Sequence, residues 1–137
     1  MPVEPGAAFV LFTPLGEKRW AEGWDPRFFG PSDDDSQPGT VFEIIHASRR
    51  ATWIVCGREP GRSIQYARVV HGHNAGTITV TLDASLEGSV ATVEYDLTAL
   101  SHAAGAELAA FAVHYEHFLD GWASAITRLT GPSQPSS

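Results

Sequence analysis

Thr77-Ile78-Thr79-Val80-Thr81-Leu82 alternates without a break, with Ile78, Val80 and Leu82 on one side and three threonines on the other. A period of two over six residues predicts a half-buried β-strand. Downstream, a turn through Glu87-Gly88 leads into Ser89 to Ala99, where Ala91, Val93, Tyr95 and Leu97 oppose Thr92, Glu94, Asp96 and Thr98. Upstream, Val41 to Ala47, Ala51 to Arg58 and Ser63 to Val70 also read as strands. They are separated by turns at Ser48-Arg49-Arg50 and Glu59-Pro60-Gly61-Arg62, and His71-Gly72-His73-Asn74 ends the third. Hairpin-short connections make neighbouring strands pair antiparallel.

The period then changes. Leu108, Phe111, Ala112, Tyr115, Leu119, Trp122, Ile126 and Leu129 recur at helical spacing, while Glu107, Glu116, His117, Asp120, Ser124 and Arg128 lie off that stripe. Gly131-Pro132 is expected to stop the helix and Ser133 to Ser137 to form a loose tail, leaving one domain over residues 1–132. At the other end, Pro5 opens a short helix that stops by Phe12, because Thr13 precedes Pro14. A second short helix is expected over Glu17 to Ala21, and loop from Asp25 to Thr40. The order predicts an α+β fold: a curved antiparallel sheet of five to seven strands around one long C-terminal helix, with two short helices in front.

Composition narrows the partners. A chain of 137 residues that is 43% hydrophobic can bury a core without metals or disulfides. A net charge of −7 argues against nucleic acid, which needs a clustered positive face. Cys56 is the lone cysteine and is expected as a buried thiol in a strand. No apolar run is long enough to span a bilayer, and Met1 to Val10 lacks the build of a signal peptide, so a cytoplasmic location is expected. His114 and His117 with Glu116, His71 with His73, and Asp33-Asp34-Asp35 match no zinc or calcium spacing; no metal and no cofactor are expected.

Phe12-Thr13-Pro14-Leu15-Gly16-Glu17-Lys18-Arg19-Trp20, Gly23-Trp24-Asp25-Pro26, Gly39-Thr40-Val41-Phe42, Thr52-Trp53-Ile54-Val55, Val93-Glu94-Tyr95-Asp96-Leu97-Thr98 and the final helix with Trp122 together resemble the START-like, or SRPBCC, superfamily. The chain looks most like its bacterial polyketide cyclase/dehydrase-like members. The resemblance implies a helix-grip fold with an apolar cavity, used in that superfamily by lipid carriers, cyclases and hormone receptors alike. It also implies a strand ahead of the first helix. Only Met1 to Glu4 precede Pro5, so either the start of the chain is clipped or the strand ending at Ala99 exposes an edge, which a homodimer is expected to cover.

If Ile78, Val80 and Leu82 face the helix, then so do Tyr95, Tyr66, Arg68 and His46, with Phe111, Tyr115, Leu119 and Trp122 opposite. Trp20 and Trp24 are expected near the mouth; Trp53 fits either face of its strand. These eleven residues are the candidate ligand contacts, and a hydrophobic or amphipathic small molecule, lipid or polyketide-like, is the expected partner. Arg68 offers a bidentate fork to a carboxylate or phosphate. His46, with Tyr66 or Tyr95, is the candidate for acid–base chemistry in an enzyme of the cyclase/dehydratase kind. A protein-interaction module without a ligand is the third reading.

Overall fold

A computed structural model describes residues 3–30, 33–46 and 48–130. Two short helices, α1 (Pro5–Leu11) and α2 (Pro14–Glu17), precede strands β1 (Arg27–Phe28), β2 (Val41–His46), β3 (Arg49–Glu59), β4 (Ser63–Val70), β5 (Asn74–Ser85) and β6 (Gly88–Ala99). Helices α3 (His102–Val113) and α4 (Tyr115–Thr130) close the chain. The six strands form one antiparallel sheet whose spatial order is the chain order. The α+β fold with a long C-terminal helix is therefore as expected. The expected tail at Ser133 to Ser137 and the stop at Gly131-Pro132 lie outside the described residues, as does Ala47. Among the described residues no helix is long and apolar enough to cross a membrane.

Alternation decides which face of the sheet is wet. Ile78, Val80 and Leu82 are buried, as are Ile64 and Tyr66 on β4, Phe42 and Ile44 on β2, and Val93 on β6. Trp53 joins them, because its register partners Phe42 and Arg68 point the same way. Cys56 does not: it alternates onto the outer face between Val55 and Gly57, where the register shifts, and it is exposed. β1 falls inside the stretch expected as loop; it is only two residues long and pairs with β2.

One end of the concave face is filled by the front of the chain. α1 buries Ala8, Phe9 and Leu11. α2 begins three residues earlier than expected, since Pro14 suits the first helical position and the Thr13 hydroxyl caps the Gly16 N–H at 3.1 Å. Gly16 is required there: a Cβ would stand 1.7 Å from the Val10 carbonyl oxygen. Trp20 donates its indole N–H to the Leu11 carbonyl (2.8 Å), Trp24 to that of Pro14 (2.7 Å), and Tyr66 its hydroxyl to that of Phe12 (2.7 Å). Phe12, Trp20 and Trp122 then pack edge to face or tilted, with ring centres 5.3–6.5 Å apart.

The C-terminal helix is broken for one residue at His114, between α3 and α4. Hydrogen bonds from the His114 N–H to Ala110 and from the Phe118 N–H to the His114 carbonyl carry the chain through the break. α3 lies against β6, and α4 crosses the concave face with Phe118, Leu119, Trp122 and Ile126 toward the sheet.

Candidate functional site

Beyond the filled end, α4 touches β6, where Phe118 and Trp122 meet Tyr95, but a space is left over the strands before it. A cavity of about 380 Å³ remains, walled by Trp24, Ile44, Trp53, Ile78, Val80, Phe118 and Trp122 among others. Its size lies within the range of small-molecule pockets, about 300–1,000 Å³. Aromatic rings build most of the wall: Trp24 meets Trp53 edge-on at 5.2 Å, Trp53 meets Tyr66 at 5.5 Å, and Phe118 leans on Trp122 at 4.9 Å.

Of the candidate contacts, Trp24, His46, Trp53, Tyr66, Arg68, Tyr95 and Trp122 line this cavity together. Trp20 and Leu119 sit in the filled end, packed against the core. Phe111 and Tyr115 lie over the β6 edge, where they line a separate groove of about 590 Å³ with Tyr95. There the Tyr115 hydroxyl donates to the Val93 carbonyl. His46, read from alternation as an inward residue, stands exposed at the mouth; a Cβ on Gly23 would lie 3.5 Å from its Nδ1.

Arg68 is half-buried, with its guanidinium carbon 5.5 Å from the Trp53 ring centre and 5.8 Å from that of Tyr95. One amino group donates to Asn74 Oδ1 at 3.1 Å. Asn74, 4% exposed, donates to His73 Nδ1 at 2.6 Å, which leaves the ring proton on Nε2, facing Glu107. Glu107 also takes both Arg49 amino groups, at 2.9 and 3.2 Å. A chain of hydrogen bonds thus runs from the cavity wall to the surface of α3.

Two donors of the wall, Trp53 Nε1 and Arg68 Nε, are buried without a partner among the described residues. Burial lowers the Arg68 pKa, against which nearby Tyr95 acts. Burial also lifts the Tyr66 and Tyr95 hydroxyls above the usual phenol range; Glu17 adds to both shifts, and Arg68 opposes that of Tyr95.

Glu17 is a polar residue that sequence reasoning missed, as are Glu22 and Arg49 of the same wall. It lines the cavity, is 6% exposed, and burial alone holds its carboxyl well above the usual carboxylate range. On the sequence it looks like an ordinary acid on a short surface helix; only the fold of α2 onto the cavity turns it inward. Asn74 and Phe118 were missed as well, Asn74 because it reads as a turn residue and Phe118 because it stands beside the main helical stripe. The pattern 111, 115, 118, 122 at steps of three and four would have found Phe118.

No protein-family model matches the chain, and no curated protein matches it in sequence. Solved structures do share its architecture. CalU16 from Micromonospora echinospora is similar over 93% of this chain and 71% of its own, with a TM-score of 0.64 at 19% identity. MLL2253 from Mesorhizobium loti covers 93% of this chain and 92% of its own, with a TM-score of 0.69 at 14% identity. A protein from Rhizobium leguminosarum covers 93% and 90%, with a TM-score of 0.69 at 16% identity. At these identities the likeness is one of fold: the chain shares with CalU16 and its companions a curved antiparallel sheet closed by a long C-terminal helix.

Proposed function

We propose that the chain is a START-like container that binds an amphipathic small molecule between sheet and α4, with an acidic group of the ligand at Arg68. The carrying observation is the 380 Å³ cavity, whose largely aromatic and aliphatic wall holds the half-buried Arg68 guanidinium along with Glu17, Glu22, His46, Arg49 and Asn74. Neither an acid of the chain nor water-exposed positioning accounts for that charge; Asn74, a neutral acceptor, is its hydrogen-bond partner. A carboxylate or phosphate would meet the free face of the fork and neutralise a charge that burial disfavours. The volume fits a fused-ring or short-chain acid rather than a whole two-tailed lipid.

Arg68→Met is expected to weaken binding of an acidic fused-ring probe by about ten- to a hundredfold, the scale of a charge-assisted hydrogen bond. Binding of the neutral methyl ester is expected to change much less. Calorimetry on both probes checks this; equal losses would defeat the anchor.

A second reading, an enzyme of the polyketide cyclase/dehydratase kind, is favoured by Glu17 and Tyr95 sharing one cavity with His46 at its mouth. Tyr66 is committed to the Phe12 carbonyl, which leaves Tyr95 as the phenol for such chemistry. Conversion of a linear poly-β-ketone probe, lost in His46→Ala, is the outcome it requires. We also infer that a second copy covers the outer edge of β6, which carries no strand among the described residues and presents half-exposed Val90 and Leu100. A mass in light scattering that stays monomeric at every concentration would remove that inference.

A further inference from the structure

Among the described residues nothing donates a hydrogen bond or an ion pair to the Glu17 carboxyl, although the side chain is 94% buried by its 6% exposure. A role in folding does not account for it. The capping of α2 is done by Thr13, whose hydroxyl takes the Gly16 N–H, and Glu17 lies one residue beyond the position from which a capping box reaches back. A buried carboxyl left bare in the wall of a cavity is a site feature before it is a stability feature.

Its place relative to Arg68 is informative. Tyr66, through its hydroxyl on Phe12, fixes the level at which the α1–α2 connection crosses β4. Arg68 lies two residues farther along the same strand, about 7 Å on. Glu17 acts electrostatically on Tyr66 and Tyr95, Arg68 on Tyr95, and the two form no ion pair. Glu17, Tyr95 and Arg68 all line the cavity, and Glu17 and Arg68 stand too far apart there to pair.

We propose that Glu17 is a second anchor, and that the ligand is a flat apolar acid carrying a carbonyl oxygen at the end opposite its carboxylate, the carbonyl accepting a hydrogen bond from the Glu17 carboxylic acid. This rests on the acid-binding reading given above. Burial disfavours the ionised carboxyl of Glu17, and its protonated form is a donor. An ammonium in place of the carbonyl would require Glu17 to ionise and two full charges to be stripped of water, a costlier arrangement. A carbonyl requires only the protonated form that burial favours.

Three rigid probes of one framework separate these cases: 2-naphthoate, 6-acetyl-2-naphthoate and 6-aminomethyl-2-naphthoate, titrated calorimetrically into the full chain. The acetyl probe is expected to bind about tenfold more tightly than plain naphthoate, the worth of one buried hydrogen bond. In Glu17→Leu that ratio is expected to fall to near one. In Glu17→Gln, whose amide still donates, most of it is expected to survive. An acetyl group that adds nothing in the unaltered protein, a ratio insensitive to Glu17→Leu, or tightest binding by the aminomethyl probe would each overturn the role of Glu17 and leave the cavity reading standing. Failure of all three probes to bind would overturn both.

Discussion

Two glutamates, Glu17 in the cavity wall and Glu107 on the outer surface of α3, show how differently one side chain is used in two regions of this molecule. Glu107 is solvent-exposed and takes hydrogen bonds from Arg49 and His73, which hold its pKa down to about 2 from the usual 4.5. Glu17 is enclosed and takes none, and desolvation pushes its pKa well up. Water would have solvated Glu107 at little cost without any partner. The chain has satisfied the carboxyl that needed it least and left bare the one that needed it most. The difference teaches that the surface cluster serves to position something, while the inner carboxyl is enclosed with no hydrogen-bond donor among the described residues. What the surface cluster positions is visible: Glu107 orients His73, His73 orients Asn74, and Asn74 holds Arg68.

The link between the two regions is the most sensitive place to break. Asn74→Ala removes the hydrogen bonds to Arg68 and His73 together and is expected to cost about 2–4 kcal/mol in urea denaturation, at about 1–2 kcal/mol for each buried bond. A loss within error of zero would mean that the two regions are independent.

Glu17→Gln sharpens the contrast from the inside. A carboxyl whose folded pKa is raised contributes its stability in full below the unfolded value of about 4.5 and loses it as pH rises through the folded value. Glu17 therefore weakens the fold at neutral pH. Glu17→Gln is expected to gain stability over the unaltered chain at pH 8 relative to pH 4, because only the carboxyl has a proton to lose as the pH rises. Equal stability at both pH values would place Glu17 in contact with water.

Glu107→Gln is expected to have the smallest effect and the opposite sign. Its lowered pKa contributes stability that is present above about 4.5 and is lost as pH falls toward about 2. The substitution is expected to flatten the acid limb of the stability curve over that window, with a small loss at neutral pH that fades at high salt. An acid limb of unchanged slope would show that Arg49 and His73 do not hold the carboxylate in solution.

Much of this was legible in the sequence. Strand Ser63–Val70 was read to the residue because turn chemistry brackets it on both sides, and the inward set Ile78, Val80 and Leu82 followed from strict alternation. The short pieces were less legible. α2 begins three residues before the sequence suggests, because Pro14 after Thr13 reads as the end of one helix as readily as the start of the next. β1 escaped notice because two residues carry no period. His46 alternates correctly yet lies at the strand end, where the sheet has run out of cover, so it faces the mouth.

Local pattern alone determined the antiparallel meander, the long aromatic helix and the face on which Arg68 points, because periodicity and turn residues act over a few neighbours and need no knowledge of the rest. Tertiary structure alone decided that Trp53 turns inward, that Phe111 and Tyr115 serve the β6 edge, and that Glu17 enters the cavity bare. Those outcomes depend on how α1 and α2 wedge under the sheet and where α4 stands off from it, distances set by packing between segments far apart in the chain.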